Sequence, residues 1–321
     1  MSINTLLIRR AVLLASALAI FVSAAAAQQP AKIPDWCKAL PRPEYKTLER
    51  VPSPDPWFEV YKVAPKTFAI YEPHQFEETI SYLIVGQNKA ILFDTGMGIG
   101  DLRKVVSSLT ALPLTVLNSH THNDHIGDNW QFDSVYSVDS DFSRRNAAGS
   151  TEDAQQEILP GEICGDLPPG FDGPAYKTRP WHIAGYIHDA QKFDLGGRTI
   201  EVLLTPGHTP DGVTLFDRGN GLLFTGDVYY PAPIWLYRPE TDFAAYNLSI
   251  KRLAALAPSV KIVLGAHNIP IAPPSVLPNL VTAFTAVASY KAQCRHVSGT
   301  QRLCTASGIS FLLSMTPPEL H

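Results

Sequence analysis

The chain has 321 residues, 45% hydrophobic and 17% charged, an ordinary globular composition with room for one large domain or two small ones. Twenty-six basic residues stand against 30 acidic ones without any long Lys/Arg block, so nothing marks a nucleic-acid surface. Heptads and internal repeats are absent, which excludes coiled-coil and solenoid architectures.

Residues 1–27 read as a secretory signal peptide. Arg9 and Arg10 precede an uncharged run, AVLLASALAIFVSAAA, and Ala25, Ala26 and Ala27 offer an A-x-A cleavage site before Gln28. The run is short for a spanning helix, so no stable membrane insertion is expected after cleavage, and the expected location is periplasmic or secreted. The mature chain carries 24 basic against 30 acidic residues, a net charge of −6. Nothing in that balance attracts polyanions. The four cysteines, Cys37, Cys164, Cys294 and Cys304, form no CxxC pair. In an exported protein an even count favours disulfides. Of three possible pairings, Cys294–Cys304 with Cys37–Cys164 is favoured: the first two are close in sequence, and the second bond would pin the N-terminus to the body.

Residues 28–56 are polar and Pro-rich and read as an extended arm, not a helix or central strand. Short runs of β-branched and aromatic residues follow: FEVYKVA, TFAIYE, TISYLIVG and KAILFDTG. GDLRKVVSSLTAL spaces Leu102, Val105, Val106 and Leu109 as a helix does. LTVLNSH is a short buried strand. Residues 149–180, rich in Gly, Pro and acids, read as an irregular insertion or lid. RTIEVLLTPGH, GVTLFDRG and GLLFTGDVYY are three more strands, with DRGNG as a hairpin turn. DFAAYNLSIKRLAALAP is a helix stopped by Pro258, KIVLGAHN a last buried strand, and LPNLVTAFTAVASYKAQ (277–293) a closing helix. Strands alternating with helices predict an α/β layered architecture, here one domain over 57–321.

The chemistry-bearing motifs lie where strands end. LNSHTHNDHIGD crowds His120, His122, Asp124 and His125 into one loop; VLLTPGH ends at His208, LLFTGD at Asp227 and VLGAH at His267. Open α/β sheets gather ligand sites at strand ends. Titratable side chains packed so closely repel when charged and lose solvation when buried, and a metal ion offsets both. His120, His122 and His208 suit one ion with an open position, Asp124, His125 and His267 a second, and Asp227 a bridge. A donor set of N and O without thiolate suits two zinc ions per chain, and equally iron, manganese or nickel.

HTHNDH, PGHTPDG, FTGD, GAHN and the upstream LFDTG resemble the five ordered motifs of the metallo-β-lactamase superfamily over roughly residues 60–270. The resemblance implies an αββα sandwich with a dinuclear site at one edge. It assigns His120, His122 and His208 to the first metal, Asp124, His125 and His267 to the second, Asp227 to the bridge, and Asp94 to orienting the histidine loop. Flavodiiron members carry Glu where this chain has His122, which disfavours a redox di-iron role. Antibiotic-cleaving members with an Asp-His second site have Ser where this chain has Asp227. Acyl-homoserine lactonases place a Tyr three positions after the bridging Asp, which points to Tyr230 as a donor to the developing oxyanion.

The function these features imply is an exported zinc hydrolase that attacks a lactone, ester or related acyl bond with a metal-bridged hydroxide. Asp124 receives the proton and Tyr230 assists the oxyanion. The partner is a small-molecule substrate. The alternatives are a β-lactamase and an iron-dependent persulfide dioxygenase-like oxidoreductase. Hydroxyacylglutathione hydrolysis would need a basic helical tail that residues 295–321 do not resemble. A non-catalytic zinc-binding protein is the remaining class. Trp181, Trp235 and Tyr237 are candidates for a substrate pocket. His74, His182, His188, His296 and His321 are read as surface or core residues, because a full ligand set exists without them.

Overall fold

Residues 49–187 build one sheet whose strands lie side by side in chain order. They are β1 (Glu49–Val51), β2 (Glu59–Ala64), β3 (Thr67–Tyr71), β4 (Ile80–Val85), β5 (Ala90–Phe93), β6 (Leu114–Leu117), β7 (Val135–Val138) and β8 (Gly185–Ile187). The first five pair antiparallel, and β5 to β8 run parallel. The computed structural model describes residues 33–315, so the signal-peptide reading of 1–27 and His321 fall outside the described residues. Between β5 and β6 runs α1 (Leu102–Leu109), capped by Asp101, whose carboxylate accepts from the Lys104 amide at 2.9 Å. Short helices α2 (Asn123–Ile126), α3 (Asp141–Asn146) and α4 (Glu152–Gln156) follow, and most of 149–180 is irregular, as expected.

The second sheet is built from β9 (Lys192–Asp194), β10 (Thr199–Leu204), β11 (Val213–Asp217) and β12 (Leu222–Gly226). After β13 (Ile234–Leu236) and α5 (Phe243–Leu256), β14 (Ile262–Gly265) returns parallel to β12. The order is β14-β12-β11-β10-β9. Strands buried on both faces read as continuous apolar runs, and AILF of β5 shows why. Phe93 turns inward, onto the second sheet, with Tyr82, Leu215, Phe224 and Leu264. Leu92 turns outward, under Leu102, Val105 and Val106 of α1. On the far side, Phe216, Leu223 and Val263 pack against Tyr246, Ile250 and Leu253 of α5 and Leu280 and Phe284 of α6 (Val276–Ala288). Helix, sheet, sheet and helix stack as four layers: the αββα sandwich.

Two features depart from the sequence reading. The chain does not close on a strand at 261–268 and a helix over 277–293. Helix α6 ends at Ala288, the backbone turns at Tyr290 (φ 58°), and β15 (Gln293–Ser298), β16 (Gln301–Ala306) and β17 (Ile309–Ser314) follow. They join β13 in a third sheet, β13-β17-β16-β15. Every residue of β15 is exposed, so it has no hydrophobic period to read. Its backbone pairing with β16 and the Cys294–Cys304 disulfide hold it. The arm is also part of the fold. It makes two 3₁₀ turns, Asp35–Ala39 and Pro43–Thr47, before β1 joins the sheet edge. Tyr45 stacks on Tyr71 at 4.4 Å between ring centres, and Cys37 bonds to Cys164. Both disulfides are the pairings favoured from sequence. Among the described residues no helix is long and apolar enough to cross a membrane.

Candidate metal centre

Strands β5, β6, β10, β12 and β14 all end at one edge of the sandwich, and backbone hydrogen bonds stitch the two sheets there. The Ile80 amide donates to the Ala266 carbonyl at 2.7 Å, and the Val213 amide to the Ser119 carbonyl at 2.6 Å. The close approach depends on Gly226. Its φ is 51°, and a Cβ there would lie 2.4 Å from the Ser119 Cβ. Glycine therefore permits the FTGD turn to place Asp227 beside His125. Asp94, at φ 70°, is held in the left-handed region that non-glycine residues seldom occupy. That conformation lets one carboxylate accept from the Ser119 amide at 2.6 Å and meet His125 Nδ1 at 3.0 Å.

All seven residues singled out from sequence converge here. His122 Nδ1 lies 2.9 Å from His120 Nε2 and 3.2 Å from His208 Nε2. His125 Nε2 lies 2.8 Å from Asp124 Oδ2 and 3.5 Å from Asp227 Oδ1. His267 Nε2 lies 3.0 Å from Asp227 Oδ1 and 3.6 Å from Asp124 Oδ2, and His208 Nε2 is 3.7 Å from Asp227 Oδ2. The donor atoms of His120, His122 and His208 all fall within 4.8 Å of one another, as do those of His125, Asp227 and His267. Asp227 thus sits between both groups.

The far nitrogens of the rings are anchored, which leaves the near ones facing a common space. His208 Nδ1 is 2.8 Å from the Trp235 carbonyl, and His267 Nδ1 is 2.8 Å from the Glu77 carbonyl. His122 Nε2 is 2.7 Å from Glu240, and His120 Nδ1 is 3.0 Å from Ser119 Oγ. A further clamp joins two motifs: Thr121 Oγ1 donates to Asp211 of PGHTPDG at 2.6 Å. His125 Nε2 and Asp227 Oδ1 are buried and make no well-aligned hydrogen bond, although Asp124 Oδ2 and His267 Nε2 lie 2.8 and 3.0 Å from them. Buried nitrogen and oxygen donors that crowd one point with poor hydrogen-bond alignment fit a cation held between them.

Electrostatics divide the set: burial favours the neutral form at His120 and His208, whereas Asp124 and Asp227 outweigh burial and raise His125 and His267. Burial holds His120 well below the ordinary imidazole range, reinforced by His125, His122 and His208, and burial brings His208 down to about 4. These two rings are neutral, the form that ligates metal. Burial would raise Asp124 and Asp227. For Asp124, His125 and then His267 outweigh that and hold it below the usual carboxylate range; for Asp227, His267 and His125 do so, to about 2.

Several contributors escaped the sequence reading. Glu77 is one: its carboxylate joins Asp124 and His267 as a further group of close donors. It lies in EETI, with no ligand-like spacing to mark it. Glu240 and the Trp235 carbonyl act from a loop that only the fold brings near. Tyr230 is buried, its ring 4.8 Å from that of His267, and its hydroxyl donates to the Pro233 carbonyl and accepts from the Trp235 amide, both at 3.1 Å. Trp235 lines a cavity beside Asp227, whereas Trp181 is buried in the core beneath the first sheet.

A family model described as the metallo-beta-lactamase superfamily matches residues 76–267. The acyl-coenzyme A thioesterase MBLAC2 of Homo sapiens is 26% identical over 187 residues, covering 54% of this chain and 67% of that protein. The hydroxyacylglutathione hydrolase of Aeromonas hydrophila is 26% identical over 197 residues, covering 60% of this chain and 62% of that protein. Among solved structures, a metallo-beta-lactamase from Pontibacter korlensis superposes with a TM-score of 0.51 at 19% identity, covering 71% of this chain and 99% of that one. That likeness is one of fold.

Proposed function

The chain belongs to the metallo-beta-lactamase superfamily, and from that premise we propose that it is a metal-dependent hydrolase of a lactone, ester or thioester, with two zinc ions per chain. The carrying observation is the buried convergence of seven N and O donors, grouped within 4.8 Å of one another, in which His125 Nε2 and Asp227 Oδ1 make no well-aligned hydrogen bond. His120, His122 and His208 would hold one ion, Asp124, His125 and His267 the other, and Asp227 both. When bound, the ions supply a water acidic enough to ionise near neutral pH and polarise the scissile carbonyl. The same donors accept iron, manganese or nickel. The acyl-coenzyme A thioesterase and hydroxyacylglutathione hydrolase similarities support an acyl bond as the target.

The protein's own residues then do three things. Asp94, Glu240 and the carbonyls of Trp235 and Glu77 fix the imidazole rings, so no reorganisation accompanies reaction. Asp124, buried and held ionised, accepts the proton of the attacking water. Tyr230 donates to the developing oxyanion by turning its hydroxyl from the Pro233 carbonyl to the substrate. Two disulfides support a periplasmic or secreted location, since such bonds persist in oxidising compartments.

The test is metal analysis of purified protein beside a panel of thioesters, esters, lactones and nitrocefin. About two zinc ions per chain with acyl-bond turnover is expected, and Tyr230→Phe lowers turnover by about 10²–10³-fold. Cleavage of nitrocefin alone would make it a β-lactamase. One iron per chain with persulfide oxidation would move it to the oxidoreductases. Protein that keeps only trace metal ends the hydrolase reading.

A further inference from the structure

We propose that the N-terminal arm forms one wall of an acyl-binding pocket, with Trp36 as a specificity-determining residue, and that the substrate therefore carries an apolar acyl group. This rests on the hydrolase reading above. A cavity of about 370 Å³ opens beside Asp227 and His267. Part of its wall is apolar, built by Trp36, Phe76, Tyr230, Ala232, Pro233 and Trp235, while Arg42, Glu77, Glu78 and Asn268 line the rest. Trp36 and Phe76 meet edge to face, ring centres 5.9 Å apart. Phe76 is 40% exposed. Aromatic surface left in water beside a reactive centre is surface that a bound apolar group would cover.

The wall is rigidly built. Trp36 Nε1 donates to the Gly161 carbonyl at 2.8 Å, and the next residue, Cys37, is bonded to Cys164. The segment that receives this bond also pairs with the segment carrying Phe76. The Phe76 amide donates to the Glu162 carbonyl at 2.8 Å, and the Cys164 amide to the His74 carbonyl at 2.7 Å. One disulfide thus fixes both rings. Side chains held this way lose little entropy when a ligand binds.

On the other side of the ligands the chemistry reverses. A second cavity, about 350 Å³, opens from His122 and Glu240 and carries Arg145 and Arg238. Arg238 lies over the Tyr237 ring at 5.8 Å and forms no ion pair among the described residues. An apolar wall near Asp227 and His267 and a polar cleft at His122 that offers two arginines beside Asp153 and Glu240 give the substrate a direction. The acyl chain lies against Trp36, and the polar remainder points to the arginines. The cleft beside Trp36 has room for roughly ten groups of water or methylene size.

The experiment uses the full mature, metal-loaded protein and p-nitrophenyl esters from acetyl to octanoyl. For wild type, kcat/KM is expected to rise with chain length, by up to about 4-fold per buried methylene. Trp36→Ala flattens that gradient at full metal content, and Trp36→Phe restores most of it. Equal gradients in wild type and Trp36→Ala overturn the proposal. Octanoate against acetate, titrated by calorimetry, reads the pocket without turnover. Octanoate binds more tightly to wild type, and Trp36→Ala loses that preference. Were no ester cleaved, the hydrolase reading would fall while the titration still decided the pocket. Indifference of wild type to octanoate over acetate overturns the proposal.

Discussion

The sandwich buries charge at both ends, and the two ends differ in whether that charge closes on itself. Away from the histidine loops, Arg198 joins the sheets. Its Nε donates to Asp217 Oδ2 at 2.8 Å, and its other nitrogens donate to the Lys66 and Val85 carbonyls and to Thr67 Oγ1. Asp217 is completed by Asn220, whose side-chain amide donates at 2.7 Å and whose backbone amide donates at 3.2 Å. Each nitrogen of Arg198 and both oxygens of Asp217 have a partner there. At the candidate metal edge the far sides of the rings are as well anchored, yet the near atoms crowd one another across a shared point, and His125 Nε2 and Asp227 Oδ1 make no well-aligned hydrogen bond there. A closed buried network contributes to a unique fold, whereas one left open toward a shared point awaits a ligand.

Substitutions at the two ends separate these roles. Asp227→Ala removes the carboxylate lying 3.0 Å from His267 Nε2 and 3.7 Å from His208 Nε2. Turnover is expected to fall to background and metal below two ions per chain, with far-ultraviolet circular dichroism unchanged. A variant that kept both ions and its activity would erase the distinction between the ends. Arg198→Ala does the reverse. It leaves the Asp217 carboxylate buried without its cation, and loss of one partner of such a pair costs about 3–5 kcal/mol. Urea unfolding reads that loss, while kcat per bound metal stays at the wild-type value.

The metal edge was far more legible in the sequence than the rest of the fold, and for a physical reason. The candidate ligands follow strand ends in short segments, so HTHNDH, PGH, TGD and GAH keep their spacing whatever the loops between them do. Residues that act through the backbone leave no such mark. The Trp235 carbonyl orients His208 whatever side chain Trp235 bears. Glu240 reaches His122 from 118 positions away, in a loop with no pattern of its own. The third sheet stayed hidden because β15 is exposed throughout and carries no alternation. The Arg198 clasp was equally unreadable, since a single arginine before a strand looks like any surface residue.

Glu240 offers a finer test at the metal edge. Burial would raise its carboxyl, but His122 outweighs that and holds it below the ordinary range. Glu240→Gln retains the shape and weakens the anchor on the His122 ring, which is itself a candidate ligand. Losing such an outer partner costs 10–100-fold in metal affinity or activity. Competition against a chelator, followed by zinc content, is the measurement. An unchanged affinity would mean that His122 is oriented by packing alone.

The smallest expected effect concerns Glu72, buried beside the metal edge, where it accepts from Trp57 Nε1 at 2.6 Å and the Met97 amide at 2.9 Å. Burial pushes its carboxyl from the ordinary 4.5 up to about 8, despite both donors. Below pH 4.5 folded and unfolded chains both carry the proton. Between 4.5 and about 8 the folded protein keeps a proton that the unfolded chain has lost, so stability falls as pH rises and levels off above 8. Glu72→Gln retains an acceptor oxygen and removes the titration. Urea midpoints from pH 5 to 8, at one fixed metal loading, should therefore decline less steeply in the variant than in wild type. Asp128 and Glu157, which burial raises to about 7, titrate in both proteins, so the difference in slope belongs to Glu72. Parallel slopes would mean that Glu72 is ionised in the folded state, and that the metal edge tolerates one more uncompensated negative charge than its neighbours suggest.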